Sequence, residues 1–395
     1  MVASRLAPFG TTVFAEISAA ARAAGAVDLG QGAPDFDGPD WIKEAAARAM
    51  HDFPNQYAPM PGLPDLRRAI ADRWLADAGR TVDPDTEITI TAGCTAALPA
   101  CALGLLEPGD EVVVFEPYYD GYAAVLALAG ARPRFVQLRP APDGAFAFDP
   151  DAFEQAAAGA RAVLFNTPHN PTGKVFTRGE IELIARAALR HDLLVFSDEV
   201  YEKLVYPDEA PDGHVRIATL DGMRERTVTL GSLGKTFSLT GWKIGWAIAP
   251  PELSRGVRAA HQFLNFSVAT PLQHAAAAAL RAGDDYYDDL RAAYTRRRDL
   301  LAAALAAAGF RFRRPGGAYF ILADHRPLSE PLGIDGDVDF VRRLIAEAGV
   351  AAIPPTAFCR DKSLARHLVR FAFCKRDETL RAAAERLSRL RAPAA

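Results

Sequence analysis

Six short apolar runs, separated by stretches long enough for helices, set the strongest limit on how this chain folds. They are Glu111 to Phe115, Arg134 to Leu138, Ala162 to Phe165, Leu193 to Phe196, Thr227 to Leu230 and Ile244 to Ile248. Each is apolar throughout rather than alternating, the pattern of strands covered on both faces. Segments such as Arg178 to Arg190 have helical length between them. The expectation is an α/β fold with a mostly parallel central sheet. In such sheets ligands collect at the carboxyl ends of strands, so the polar residues that follow each run are the first place to seek chemistry.

The 395 residues exceed what one hydrophobic core usually serves, so a larger domain and a smaller one with a cleft are expected. The large domain is assigned to 45–285 and the small one to 1–44 together with 286–395. A helical stretch from Pro271 to Ala308, broken only at Gly283, bridges them. Beyond it, Arg311 to Ala323 and His367 to Phe373 read as strands, and Asp337 to Glu347 and Asp377 to Leu390 as helices, which makes the small domain α+β. The alanine-rich stretches Ala96 to Ala102 and His274 to Ala282 read as helices, not low complexity.

Charge and cysteine content exclude several classes. There are 45 Lys and Arg against 49 Asp and Glu, a net charge of -4 with both signs interspersed, which is no footprint for nucleic acid. The start lacks a secretory pattern and no apolar run spans a bilayer, so a cytoplasmic protein without a membrane partner is expected. Cys94, Cys101, Cys359 and Cys374 are too few for a disulfide framework and lack metal-binding spacing, so they read as reduced thiols and no metal is expected. No local motif marks any of them as a nucleophile.

The chemistry lies after the strands. In Thr227-Val-Thr-Leu-Gly-Ser-Leu-Gly-Lys, Lys235 sits beyond a buried run in a Gly-bearing turn, with Ser232 three residues before it. Desolvation and a second cation, Lys243, lower the pKa of such an amine and free it to condense with an aldehyde, the requirement of pyridoxal phosphate. Taken alone, a lysine in a Gly/Ser loop is an ordinary phosphate-binding or surface residue. Leu193-Leu-Val-Phe-Ser-Asp delivers Asp198 at a strand end, with Tyr201 three residues on. A buried carboxylate needs a cation, and a protonated pyridine nitrogen is one; a helix N-cap or an Asp-Arg pair is the competing account. In Phe165-Asn-Thr-Pro-His-Asn-Pro-Thr-Gly the prolines stiffen the turn, so the amide of Asn170 is held in one direction and suits a phenolate oxygen, although Asn-Pro is also a plain turn.

Thr91-Ala-Gly-Cys-Thr reads as a strand end, a Gly turn and a helix start near Cys94, where backbone amides and the helix dipole receive a phosphate, completed by Ser232 and Lys243. A bare strand-to-helix turn has the same look. In Phe115-Glu-Pro-Tyr-Tyr, Tyr119 offers a ring for the pyridine face, or for a core. Arg370 sits mid-strand in Leu368-Val-Arg-Phe-Ala-Phe, where a substrate carboxylate or a structural Asp satisfies it.

Together these segments, from about Phe9 to Leu390, resemble class I, fold-type I pyridoxal phosphate aminotransferases. Leu29-Gly-Gln-Gly-Ala-Pro-Asp-Phe, Asn55-Gln-Tyr-Ala-Pro-Met, Gly241-Trp-Lys-Ile-Gly-Trp and Ala351-Ala-Ile-Pro resemble the branch of methionine, glutamine and kynurenine aminotransferases, which also holds N-succinyldiaminopimelate aminotransferases. The resemblance implies that Lys235 is the Schiff-base lysine and proton shuttle and that Asp198 pairs with the pyridine nitrogen. Asn170 and Tyr201 bond the phenolic oxygen, Tyr119 stacks, and Gly93, Cys94, Thr95, Ser232 and Lys243 surround the phosphate. Arg370, with the Gly32 backbone and Asn170, holds the substrate α-carboxylate. Tyr57 reaches the phosphate of a neighbouring subunit, so a homodimer with shared sites follows. Lys243 stands where the aspartate enzymes carry Arg, Cys94 where Ala is usual, and Ala318 where Thr is often seen. Phe14 and Phe266 fall where the branch lines its side-chain pocket, favouring an apolar, thioether, aromatic or glutamine side chain.

Ping-pong transfer between an amino acid and a 2-oxo acid is the leading expectation. The same cofactor chemistry also serves elimination, replacement, C-C bond formation and oxidation. A cofactor-sensing DNA regulator is disfavoured, because only about 30 residues precede Gly30 and they form no basic recognition helix.

Overall fold

A computed structural model describes residues 2–9, 13–141 and 144–390, with the backbone alone at 13 and 14. The central sheet has seven strands, numbered along the chain as β1 (Ile88–Thr91), β2 (Glu111–Glu116), β3 (Arg132–Gln137), β4 (Ala162–Asn166), β5 (Leu194–Asp198), β6 (Thr227–Ser232) and β7 (Gly245–Ile248), in the order β1-β7-β6-β5-β4-β2-β3. The pairs β3/β2, β2/β4, β4/β5 and β5/β6 are parallel. One expected member departs from that direction: β7 runs antiparallel to both β1 and β6. The connection Leu233 to Ile244 holds only the one-turn helix Leu233–Thr236 and a short 3-10 turn, Thr240–Trp242, with no crossover helix to carry the chain back to the start of β6, so it returns alongside in the opposite direction.

The two covered faces show in the strand alternation. Val112, Val114, Leu164, Phe196, Val228 and Leu230 enter one apolar cluster, while Val113, Phe115, Val163, Phe165 and Val195 enter another on the opposite face. β3 is the exception among the apolar runs: it lies at the sheet edge, is only partly buried, and carries Arg132, Pro133 and Arg134, with Arg134 paired to Glu111. An edge strand tolerates proline and charge because one row of its backbone groups has no ladder partner. The helix Arg178–Arg190 matches its expected span, and its start is a capping box in which Thr177 and Glu180 satisfy each other's backbone amides.

A smaller antiparallel pair, β8 (Phe320–Asp324) and β9 (Leu368–Ala372), sets Leu322 opposite Arg370. The strand expected over Arg311 to Ala323 is irregular before Phe320, because Pro315, Gly316 and Gly317 interrupt it; isolated bridges tie Arg311 to Asp324 and Gly317 to Val205. The stretch 271–308 forms two helices, Thr270–Leu280 and Asp284–Ala308, parted at Gly283. The helix expected to reach Glu347 is α-helical over Asp337–Arg343 and widens into a π turn over Leu344–Ala348. One apolar cluster joins Ile17, Leu29, Val200 and Tyr201 to Tyr294, Tyr319, Phe373 and Leu380, so the end of β5 packs against the C-terminal part of the chain. Among the described residues no helix is long and apolar enough to cross a membrane.

Candidate active site

β4 and β5 end level with one another: Asn166 pairs with Asp198 in the ladder, and the side-chain amide of Asn166 donates to the Asp198 carbonyl at 2.8 Å. The same amide's oxygen accepts from the Asn170 backbone N-H at 2.7 Å, so the Pro-stiffened turn is anchored to the end of the neighbouring strand. A cavity of about 280 Å³ opens beyond these ends, and Asn170, Asp198, Tyr201 and Lys235 all line it.

Lys235 follows β6 in a one-turn helix over Leu233–Thr236, capped by the Ser232 hydroxyl, which accepts from Gly234 N-H at 3.1 Å. Its Nζ lies 5.7 Å from the ring centroids of both Tyr201 and Tyr319. Burial depresses its pKa, and Lys243 pushes the same way against Cys374 and Asp198. Asp198 is buried, which raises its carboxyl to about 6 against the hydrogen bonds from Tyr122 and the Val200 amide. A buried carboxylate aimed at that cavity is matched to a cationic ring nitrogen.

The expected phosphate cup takes shape at one end of the cavity. Gly93 precedes the helix Cys94–Leu105 with φ of 73°, a conformation open to glycine. A Cβ at Gly93 would lie 3.3 Å from Lys243 Nζ, so the ammonium sits close over the turn. Lys243 Nζ donates to Thr95 Oγ1 at 3.1 Å, and Gly93, Cys94, Thr95, Ser232 and Lys243 all line this part of the wall. Backbone amides at the helix start have no intrahelical partner, so a cation and a helix N-terminus converge on one spot, a site for a dianion. Tyr119 lies on the wall between this cup and Asp198, with burial pushing its phenol up to about 12.

Arg370 enters from β9 at the other end. Its Nη1 donates to Asn170 Oδ1 and its Nη2 to Gly30 O, both at 2.9 Å, and burial lowers its pKa to about 10. The guanidinium lies 4.3 Å from the Phe320 ring centroid. A guanidinium has five N-H groups and holds a carboxylate besides these two oxygens. Gly32 lines the cavity, but its carbonyl is engaged by the Tyr319 hydroxyl at 2.7 Å.

Two expected residues lie away from this cavity within one chain. Tyr57 is 82% exposed and packs edge-on against Phe266, itself 45% exposed, on the outside of the chain. The side chain of Phe14 is outside the described residues. Three contributors are not among the expected site residues: Tyr122, bonded to Asp198; Tyr319, edge-on to Tyr201 and bonded to Gly32; and Gly30, which lies within the Leu29-Gly-Gln-Gly segment and whose carbonyl accepts from Arg370. For Tyr122 the only sequence signal was position, since it falls one helical turn after Tyr119. Behind Asp198, Glu199, Glu202 and His214 bring three ligand-type atoms within 4.8 Å of one another. Arg216 pairs with both carboxylates there, so the group reads as an ion-pair network.

Residues 24–387 match the model of the family described as aminotransferase class I and II. The chain is 48% identical over 398 residues to a probable N-succinyldiaminopimelate aminotransferase, DapC, of Mycobacterium tuberculosis, covering 98% of each. It is 40% identical over 388 residues to a methionine aminotransferase of Escherichia coli, again covering 98% of each. The solved structure of the N-succinyldiaminopimelate aminotransferase from Mycobacterium tuberculosis superposes with a TM-score of 0.94 at 47% identity, over 99% of this chain and 100% of that one.

Proposed function

This chain belongs to the aminotransferase class I and II family, a family of pyridoxal phosphate enzymes, and on that premise we propose the roles of its residues and the kind of amino acid it takes. When bound, pyridoxal phosphate supplies a ring that accepts the electron pair left by breaking a bond at the substrate's α-carbon. The cup at Gly93, Cys94, Thr95, Ser232 and Lys243 holds the phosphate, and Tyr119 covers one ring face. Asp198 holds the pyridine nitrogen, and Asn170 and Tyr201 face the phenolic oxygen. Lys235 would hold the aldehyde, and its buried and readily neutral Nζ is placed to take the proton from the substrate's Cα. Arg370 holds the α-carboxylate, which turns the Cα-H bond toward Lys235.

The observation that carries this reading is the convergence of Lys235, Asp198, Asn170 and Arg370 on one cavity from four separate segments. With Phe320 against Arg370, the substrate end has an aromatic wall, which favours donors with apolar, thioether, aromatic or glutamine side chains. N-succinyldiaminopimelate is the second candidate donor, favoured by the 48% identity to DapC over nearly the whole chain. The exposed aromatic pair Tyr57 and Phe266 supports a homodimer in which these two residues complete the partner's site. A large unit over 45–285 and a small one over 1–44 with 286–395 fit the cluster that ties Ile17 and Leu29 to the C-terminal segments. The sparse cysteines, all free among the described residues, are consistent with the cytoplasm.

A stopped-flow screen tests the reading. Methionine, phenylalanine, kynurenine, glutamine and N-succinyl-LL-2,6-diaminopimelate are mixed singly with holoenzyme while cofactor absorbance is followed, and 2-oxo acids are then added. At least one donor should change the spectrum, and an acceptor should restore it with formation of a new amino acid; Lys235→Ala should show neither. Ammonia or a rearranged product without an acceptor would replace transamination with one of the other reactions.

A further inference from the structure

We infer that Tyr122 is a positioning residue that acts through Asp198: from the helix Gly121–Leu128 its hydroxyl donates to Asp198 Oδ2 at 2.7 Å, holding that carboxylate ionised and aimed into the cavity. The inference rests on the reading of Asp198 as the partner of the pyridine nitrogen. Tyr122 is 2% exposed, and its ring is locked edge-on against Tyr119 with centroids 5.5 Å apart. Its hydroxyl is therefore delivered by packing, with little rotamer freedom to lose.

The surroundings of Asp198 explain why one hydroxyl matters. Lys235 faces it from the one-turn helix, Cys94 from the helix Cys94–Leu105, Tyr119 from the loop after β2, and Glu199 and Tyr201 from its own segment. Glu199 and burial favour the protonated acid; Lys235 opposes them through space. The other hydrogen bond shown to its carboxylate is the Val200 amide at 3.3 Å, a long one, to Oδ1. Tyr122 is the strongest single opponent of burial, and its own phenol is pushed well up, so it remains a donor. A hydrogen bond to a charged group is worth one pH unit or more in the acceptor's titration, so losing this one should move Asp198 by about one unit.

The test measures pyridoxal phosphate affinity, not turnover. Apoenzyme is titrated with pyridoxal phosphate from pH 5 to 9, and the limb of the affinity profile that Asp198→Asn abolishes is taken as that of Asp198. Tyr122→Phe, which keeps the ring, should move this limb to higher pH by about one unit. Placing 3-fluorotyrosine at position 122, a more acidic and stronger donor, should move it the opposite way. A purely structural role would not give opposed shifts, and calorimetry checks that both proteins are folded. In Tyr122→Phe, kcat should fall by more than KM rises. A limb that depends on Asp198 but stays put in both variants overturns the role of Tyr122 alone. A profile that Asp198→Asn leaves unchanged overturns the reading of Asp198, and the inference with it.

Discussion

Arg370 and Asn170, 200 positions apart, are joined by a buried hydrogen bond of 2.9 Å from Nη1 to Oδ1. A guanidinium has only donors, so the atom facing it must be the amide oxygen, which turns the Asn170 nitrogen the other way as a donor. The residue proposed to hold the substrate carboxylate thereby sets the amide proposed to face the cofactor's phenolic oxygen. Arg370→Lys should lower kcat/KM by on the order of 10²-fold or more, because an ammonium cannot reproduce the fork. It should also shift the pH midpoint of the resting enzyme's absorbance, since Asn170 loses its orienting partner. An effect confined to KM, with an unmoved spectrum, would separate the two residues.

Gly245 is not among the residues that line the cavity, yet it packs against the turn at Gly93 and Cys94 that forms part of its wall. A Cβ there would stand 2.6 Å from the Gly93 carbonyl carbon and 2.7 Å from Cys94 N, a clash with backbone that no side-chain rotation relieves. Gly245→Ala should destabilise the fold by roughly 1–3 kcal/mol and speed cofactor release about tenfold. Calorimetry and loss of bound absorbance after dilution measure the two effects, and wild-type values for both would contradict the close packing of β7 on this turn.

The Tyr319 ring packs edge-on against Tyr201, and the substrate-side loop is tied to it through a single hydroxyl, which donates to the Gly32 carbonyl at 2.7 Å. Removing it in Tyr319→Phe leaves the Gly32 carbonyl without this partner, a loss of about 1–2 kcal/mol. KM for the amino donor should rise about tenfold with kcat much less affected, as steady-state kinetics with the best donor from the screen would show.

His169 is a buried histidine in the Asn170 turn, its Nδ1 2.8 Å from Thr172 Oγ1, and burial takes its pKa down from 6.5 to about 3. A base whose folded pKa is depressed stabilises fully above the unfolded value, and that contribution is lost as pH falls. Between pH 6.5 and 3 the unfolded chain takes up a proton that the native turn refuses. At pH 5 this amounts to about 2 kcal/mol against pH 8. Urea unfolding at the two pH values should show a smaller loss in His169→Gln than in wild type.

The alternating burial of β2, β4 and β5 was legible because each strand writes its own period into the chain, and so was the helix Arg178–Arg190 with its Thr177 and Glu180 cap. Lys235, Asp198, Asn170 and Arg370 were legible because each follows or interrupts an apolar run where a polar group needs a reason. The direction of β7 was not, since an apolar run looks the same running either way and only its neighbours decide.

By itself the amino-acid order determined which segments become strands, that the sheet is buried on both faces, and which polar residues emerge at its carboxyl end, because those depend on local periodicity and on residues adjacent in the chain. Only the tertiary structure decided that Tyr122 meets Asp198, that Tyr319 takes the Gly32 carbonyl, and that Tyr57 and Phe266 stand on an outer face. A hydrogen bond between groups 76 or 287 positions apart depends on how helices and strands pack, and packing leaves no periodic trace in either segment.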